Sequence, residues 1–324
     1  MGYGNYSHAA HVALTRERAD RPEEQVFRQR DCHPLMSPRG VRVRESRDSA
    51  EHPASLGIVF ALDVTGSMGE IPKQLARREL PSFVKILLDC GVKDPQLLFC
   101  AVGDATSDRA PLQVGQFEST AALMDQWLTW SYLEAGGGGQ GAESYELAMY
   151  FLAQHTDMDG WRKRKKRGYL FMTGDEPPYP RVSKLQVEAL IGDTLDDDVP
   201  TAAVVAAVSR TFEPFFLVPD LDRRAACERP WRDLLGDRVI CMEGAEDTCY
   251  VAAGVVALQE GAVKDLDDLA RVVLAAGADK DRVGAIVRAL TPFAATLGRD
   301  GAPKPKLERA TLSTQDTASG VRRR

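Results

Sequence analysis

Three apolar runs along the chain each end in an acid: Ile58–Leu62 before Asp63, Leu97–Val102 before Gly103-Asp104, and Tyr169–Thr173 before Gly174-Asp175. A strand covered by helices on both faces needs apolar side chains in both directions, so these runs predict buried parallel strands. Phe215–Pro219 and Arg238–Met242 read as two further short strands, and Val114–Phe117 as an edge strand. Helical spacing fills the intervals. Gly69–Gly91 carries Leu75, Leu80, Phe83, Val84, Ile86, Leu87 and Leu88 on one side, with Pro72 tolerated in its first turn and Pro81 expected to kink it. Thr120–Tyr132, Tyr145–Gln154, Val187–Leu195, Thr201–Phe212 and Thr248–Gln259 are the other predicted helices. Strands alternating with helices call for a doubly wound α/β fold, a mostly parallel sheet with helices on both faces, spanning 55–261. Residues 262–298 predict a C-terminal helical extension broken near Gly277, 1–54 an N-terminal arm or leader, and 299–324 a disordered basic tail.

In open α/β sheets, ligand chemistry gathers at the carboxyl ends of the strands. Asp63, Thr65 and Ser67 lie at such an end, and Gly66 lets the turn bend sharply enough to aim their oxygens at one point. Three hard oxygens, one of them charged, suit Mg²⁺ or Mn²⁺, although the same residue types are also favoured helix N-caps. Gly136–Gly139, Gln140 and Gly141 then open directly into the helix at Tyr145, with Glu143 and Ser144 as further oxygen donors. So glycine-rich a run is costly to order, which points to a structural or ligand reason, and it lacks the Gly-Lys-Ser/Thr ending of a phosphate-binding loop. Asp175 lies at the end of another such strand.

Asp63-x-Thr65-x-Ser67 after a hydrophobic strand resembles the DxSxS/DxTxS element of the metal-ion-dependent adhesion site in von Willebrand factor type A domains, and the resemblance spans about Ser55 to Gly261. It implies a doubly wound fold, a bound Mg²⁺ (or Mn²⁺), and a protein partner whose Asp or Glu fills an open coordination position. Gln140 occupies the place of the family's usual threonine, a departure from the pattern, and Asp175 matches the distal aspartate. The strand followed by Asp175 and Pro177-Pro178 resembles the intracellular bacterial branch of the family, including domains attached to alpha-kinases. That branch implies work beside AAA ATPases of the MoxR type. Asp63-Val64-Thr65-Gly66-Ser67 also resembles the nucleophile loop of haloacid dehalogenase phosphohydrolases, with Asp63 as nucleophile and Gly174-Asp175 as the metal-binding end. The residue two past the nucleophile is Thr65 where those enzymes carry an acid, and no lysine stands in a matching strand-end context. A third reading is a scaffold whose metal site is vestigial. The expectation taken forward is a binding module and not an enzyme.

A net charge of −6 argues against general affinity for nucleic acid or anionic membrane. No stretch approaches the roughly 20 apolar residues of a membrane span, and Met1–His8 lacks the pattern of a secretory signal. Cys32, Cys90, Cys100, Cys227, Cys241 and Cys249 form no CxxC pair and sit mostly in apolar segments, so a cytoplasmic protein with core thiols is expected. The basic run Trp161–Arg167 reads as a solvated turn or, alternatively, as a patch for an anion or acidic partner at the opposite end of the sheet. His8, His11, His33 and His52, with Cys32, show no tight ligand spacing and read as solvated polar residues rather than a zinc site.

Overall fold

The computed structural model describes residues 4–66, 68–134, 141–219 and 221–298. Six strands form its central sheet: β1 (Leu56–Asp63), β2 (Pro95–Val102), β3 (Leu112–Val114), β4 (Gly168–Thr173), β5 (Phe212–Val218) and β6 (Val239–Cys241). Their spatial order is β6-β5-β4-β1-β2-β3, parallel throughout except for the short edge strand β3. The chain therefore winds outward from β1 on one side, then returns beside β1 and winds outward on the other. This is a doubly wound sheet whose order reverses between β1 and β4, and the carboxyl ends of those two strands are where ligands gather in open sheets of this kind.

The strand runs are apolar because both faces are covered. Leu56, Ile58, Phe60 and Leu62 of β1 enter one core, whereas Val59 and Ala61 enter the other. On the first face Phe60 stacks on Phe99 and lies tilted against Phe171, which in turn stacks on Phe215, at centroid separations of 5.6–5.9 Å. Register then sets where the acids fall. Asp63 pairs with Val102 and Leu62 with Thr173, so Asp104 and Asp175 each lie two residues past the last rung of their strands.

Helices α1 (His8–Arg18), α2 (Leu80–Asp89), α3 (Ala121–Thr129), α4 (Tyr145–Gln154), α5 (Thr201–Val208), α6 (Arg224–Leu235), α7 (Thr248–Gln259), α8 (Leu266–Ala275) and α9 (Lys280–Thr296) surround the sheet. The expected kink at Pro81 takes a specific form. A helical turn at Glu70–Gln74 passes through a π-type turn at Leu75–Glu79, where the Leu80 N–H bonds to Leu75 O, and α2 follows with Pro81 in its first turn. The wider turn opens the hydrogen-bond ladder where the proline cannot donate. At the other end α8 and α9 pack on α7, so closely at Gly254 that a Cβ there would lie 2.6 Å from Leu290 and 2.9 Å from Leu269.

Residues 4–54 run along the domain. Arg18 of α1 is ion-paired with Asp125 of α3, and Arg44–Ser46 pairs as a short parallel strand with Thr156–Met158. The histidines of this segment are not solvated as expected. His11 and His52 are buried, the first bonded to the Tyr6 hydroxyl and the second to Gly4 O, and His33 stacks on Trp130. His11, His33 and His52 each have a local partner, and among the described residues these histidines do not assemble as a metal site. Residues 299–324, expected to be a tail, lie outside the described residues.

The basic run before β4 is spent largely within the molecule. Arg162 pairs with Asp157, Lys163 with Asp48 and Asp159, Arg164 with Asp48, Lys166 with Glu260 and Arg167 with Glu213. Lys165 instead lies over the Trp161 ring. Three of the partners, Asp48, Glu213 and Glu260, come from sequence positions far from the run, which is why composition alone left a patch for an outside anion open.

Candidate metal centre

Asp63 is fully buried at the end of β1. Its Oδ1 accepts the Thr65 backbone N–H at 2.9 Å and the Thr65 hydroxyl at 2.6 Å, and its Oδ2 accepts the Tyr145 hydroxyl at 2.6 Å. The turn beyond is closed by the N–H groups of Met68 and Gly69, both bonded to Thr65 O. Burial pushes the Asp63 carboxyl up to about 6; the donors from Thr65 and Tyr145 offset part of this, and the Asp175 charge adds to it.

Tyr145, the first residue of α4, escaped sequence reasoning as a site residue. Its ring is fully buried, in edge contact with Phe216 and Trp231 at 5.4 Å from each. Burial, with Asp63 beside it, holds the phenol far above its ordinary range, so it is a fixed donor. A Cβ built on Gly174 would lie 1.8 Å from the Tyr145 hydroxyl. Glycine before Asp175 is therefore what lets Tyr145 reach from α4 past the end of β4 to Asp63.

Asp175 is also buried, and its Oδ2 accepts from the Arg223 guanidinium. Arg223 immediately precedes α6, a helix not predicted from sequence, and the Trp231 indole of α6 donates to Glu176 O at 3.0 Å. The usable signal was Cys227, Trp231 and Leu235 at four-residue spacing, masked by Pro230 and many charges.

Beyond β2 the arrangement of Asp63 recurs. Asp104 is fully buried and accepts the Thr106 N–H at 2.9 Å, the Thr106 hydroxyl at 2.6 Å and a tyrosine hydroxyl, that of Tyr179, at 3.0 Å. Asp108 Oδ2 accepts from Asp104 N at 2.7 Å. The segment after the glycine run joins these loops: Ser144 Oγ accepts from Ala105 N at 2.9 Å, and Glu143 N donates to Pro177 O at 3.1 Å. Burial, reinforced by the charges of Asp63, Asp108, Asp104 and Glu176, pushes Glu143 up to about 9, and burial likewise takes Glu146 up to about 8.

Of the predicted metal residues, the structure brings Asp63, Thr65 and Asp175 to one edge at the switch point between β1 and β4. Ser67 and Gln140 lie outside the described residues. Among the described residues no three histidine, cysteine, aspartate or glutamate side chains are disposed to hold an ion by themselves, so a metal would need hydroxyls and water as well. The donor chemistry fits a hard divalent cation. A hydroxyl that donates to a carboxylate keeps its lone pairs, and each carboxylate oxygen accepts more than one bond. Charge points the same way: the leading influences on Asp63 and Glu143 include other carboxylates but no lysine or arginine.

Neither a protein-family model nor a curated protein matches the sequence. Solved structures do. The pilus adhesin SpaC from Lactobacillus rhamnosus GG, in its open conformation, is similar at 10% identity and a TM-score of 0.43, covering 66% of this chain and 31% of that one. A von Willebrand factor type A protein from Catenulispora acidiphila gives 14%, 0.39, 64% and 43%. Proximal thread matrix protein 1 from the mussel byssus, solved with a zinc-occupied MIDAS motif, gives 9%, 0.40, 66% and 50%. The chain thus spans about a third to a half of these neighbours' own length, and at such scores the likeness is of general architecture only.

Proposed function

We infer that this protein is a metal-dependent protein-interaction module. In this reading Asp63, Thr65, Ser67 and Asp175, with an oxygen from the segment at Gln140–Ser144, hold a Mg²⁺ or Mn²⁺ ion at the switch point. The observation that carries it is the pair of buried carboxylates, Asp63 and Asp175, at the ends of adjacent parallel strands, inside a group of acids with few cations. Bound there, a divalent ion supplies an electrophilic point for a partner's Asp or Glu, stronger than an exposed salt bridge. Thr65 and Tyr145 hold the Asp63 carboxylate in one orientation, and Arg223 holds Asp175.

The enzyme reading has less support. The residue two past Asp63 is Thr65, where an aspartyl-nucleophile phosphohydrolase carries an acid, and no lysine stands in a matching strand-end context. The partner is proposed to be a protein with an exposed acid, of the kind the resemblance associates with MoxR-type ATPases, and the location to be the cytoplasm. The six cysteines are unpaired, which agrees with a reducing compartment. Among the described residues no helix is long and apolar enough to cross a membrane.

The test is calorimetric titration of wild type and Asp63→Ala with Mg²⁺ and Mn²⁺, with a phosphatase substrate screen on the same samples. Binding lost in the variant, without turnover, is the expected result. No binding by wild type would leave the scaffold reading, and metal-dependent phosphate release would place the protein among the phosphohydrolases.

A further inference from the structure

The two strand-end acids of the candidate site are held in different ways. Asp63 accepts from neutral groups, the Thr65 N–H and hydroxyl and the Tyr145 hydroxyl, whereas Asp175 Oδ2 accepts from the Arg223 guanidinium. The Asp175 side chain is 5% exposed and that of Arg223 is 42% exposed. The guanidinium therefore reaches a buried carboxylate from the solvent side. A buried charge left without a partner is costly, so whatever displaces Arg223 from Asp175 must itself carry positive charge.

Only the side chain of Arg223 would have to move. Its carbonyl accepts the Ala226 N–H at 3.2 Å, which makes its backbone part of the first turn of α6. The body of that helix is tied to the chain beyond Asp175 by the Trp231 indole, which donates to Glu176 O at 3.0 Å. On the near side, Gly174 N donates to Leu217 O at 3.3 Å and keeps the start of the Asp175 loop on the end of β5. None of these anchors uses the guanidinium. Arg223 is thus a long side chain on a fixed stem, with its charged end on an acid of the site.

We propose that Arg223 is an exchangeable counter-cation, which neutralises Asp175 in the metal-free protein and leaves it when a divalent ion binds beside Asp63. This rests on the metal-binding reading and deepens it. Two cations on one carboxylate repel one another, and a doubly charged ion holds a buried acid more strongly than a half-exposed guanidinium does. The freed guanidinium then stands at the rim of the loaded site and adds positive charge where a partner's acid arrives.

The experiment follows phenylglyoxal modification of Arg223 by peptide mass mapping, in wild type and Asp63→Ala, in chelator and in saturating Mn²⁺, with Mn²⁺ binding measured on the same samples by calorimetry. In wild type the Arg223 rate should rise severalfold with Mn²⁺. The rate of Arg224, which pairs with Glu228 in the same helix, should not change. Asp63→Ala should abolish the rise. Thermal melts of wild type and Arg223→Gln give a second readout. The variant should melt lower in chelator, and Mn²⁺ should narrow the gap, whereas a merely structural ion pair leaves the gap equal in both conditions. Should Arg223→Gln fail to fold, the modification of wild type decides alone. Mn²⁺ binding that is lost in Asp63→Ala, together with an Arg223 rate or a melting gap that Mn²⁺ leaves unchanged, would overturn the proposal and leave the metal reading standing. Absence of Mn²⁺ binding by wild type would overturn both.

Discussion

At the amino-terminal edge of the sheet, Asp48 accepts from Arg164, Lys163 and the N–H and hydroxyl of Ser55, and Asp159 faces Arg47 and Lys163. At the carboxyl-terminal edge, Asp63, Glu143 and Glu146 are more deeply buried and are met by hydroxyls, backbone and one another. The same chemical group behaves oppositely in the two places. Burial pulls Asp48 up, but the bonds from Arg164, Ser55 and Lys163 reverse it, leaving the carboxyl well below its usual range; Asp63, Glu143 and Glu146 are all pushed up. One edge closes its own charge balance and staples the arm to the domain. In the proposed reading the other has its balance closed by a cation from outside.

Substitutions can break this contrast, and the largest effect should come from Gly174→Ala. The added Cβ meets the hydroxyl and ring of Tyr145, which is walled in by Phe216 and Trp231 and cannot move aside. A loss of about 3 kcal/mol or more is expected by urea unfolding, with metal binding lost as well. Tyr145→Phe removes only the hydroxyl and should cost about 1.5–3 kcal/mol, the range of a hydrogen bond to a charged group. At the opposite edge, Asp48→Asn should cost about 1–2 kcal/mol in the same assay and leave Mn²⁺ affinity untouched, because Ser55, Lys163 and Arg164, its partners, all lie at the amino-terminal edge. Arg223→Gln has the smallest expected effect and sharpens the contrast. Asp175 would lose its internal cation, so Mn²⁺ affinity should rise severalfold in a calorimetric titration, by an amount within the roughly 1 kcal/mol of a solvent-accessible pair. Unchanged or weaker binding would mean that Arg223 does not compete for Asp175.

Much of the fold could be read from the chain because strands buried on both faces leave an unambiguous trace: an apolar run cut off by an acid. β1, β2 and β4 were each marked that way, and α4 and α7 fall on the residues predicted for them. What stayed hidden depended on contacts distant in sequence. α1 buries His11, Thr15 and Arg18 rather than an apolar stripe, so periodicity could not reveal it. α6 was obscured by Pro230, and with it the pairing of Arg223 to Asp175. The Tyr145 hydroxyl could not be assigned to Asp63 from a sequence separation of 82 residues. The basic run Trp161–Arg167 was conspicuous, but Asp48, Glu213 and Glu260 had to be folded against it before its role as a staple emerged.

The central claim, that Asp63, Glu143 and Glu146 at the carboxyl-terminal edge are buried without the basic partners that the amino-terminal acids have, is tested most directly by the melting temperature of wild type from pH 5.5 to 8.5, in chelator and in millimolar Mg²⁺ or Mn²⁺. An acid whose pKa is raised on folding binds its proton more tightly in the folded state. Its stabilisation is complete below the unfolded value near 4.5 and is lost as pH rises toward about 8 for Glu146 and about 9 for Glu143. Each such group removes up to about 1.4 kcal/mol per pH unit across that window. The depressed acids of the amino-terminal edge act only below about pH 4 and do not interfere. The melting temperature should therefore fall steadily with pH in chelator, and the divalent ion should restore several degrees at the alkaline end. A melting temperature indifferent to pH in chelator, or the same with and without the ion at pH 8.5, would contradict the account.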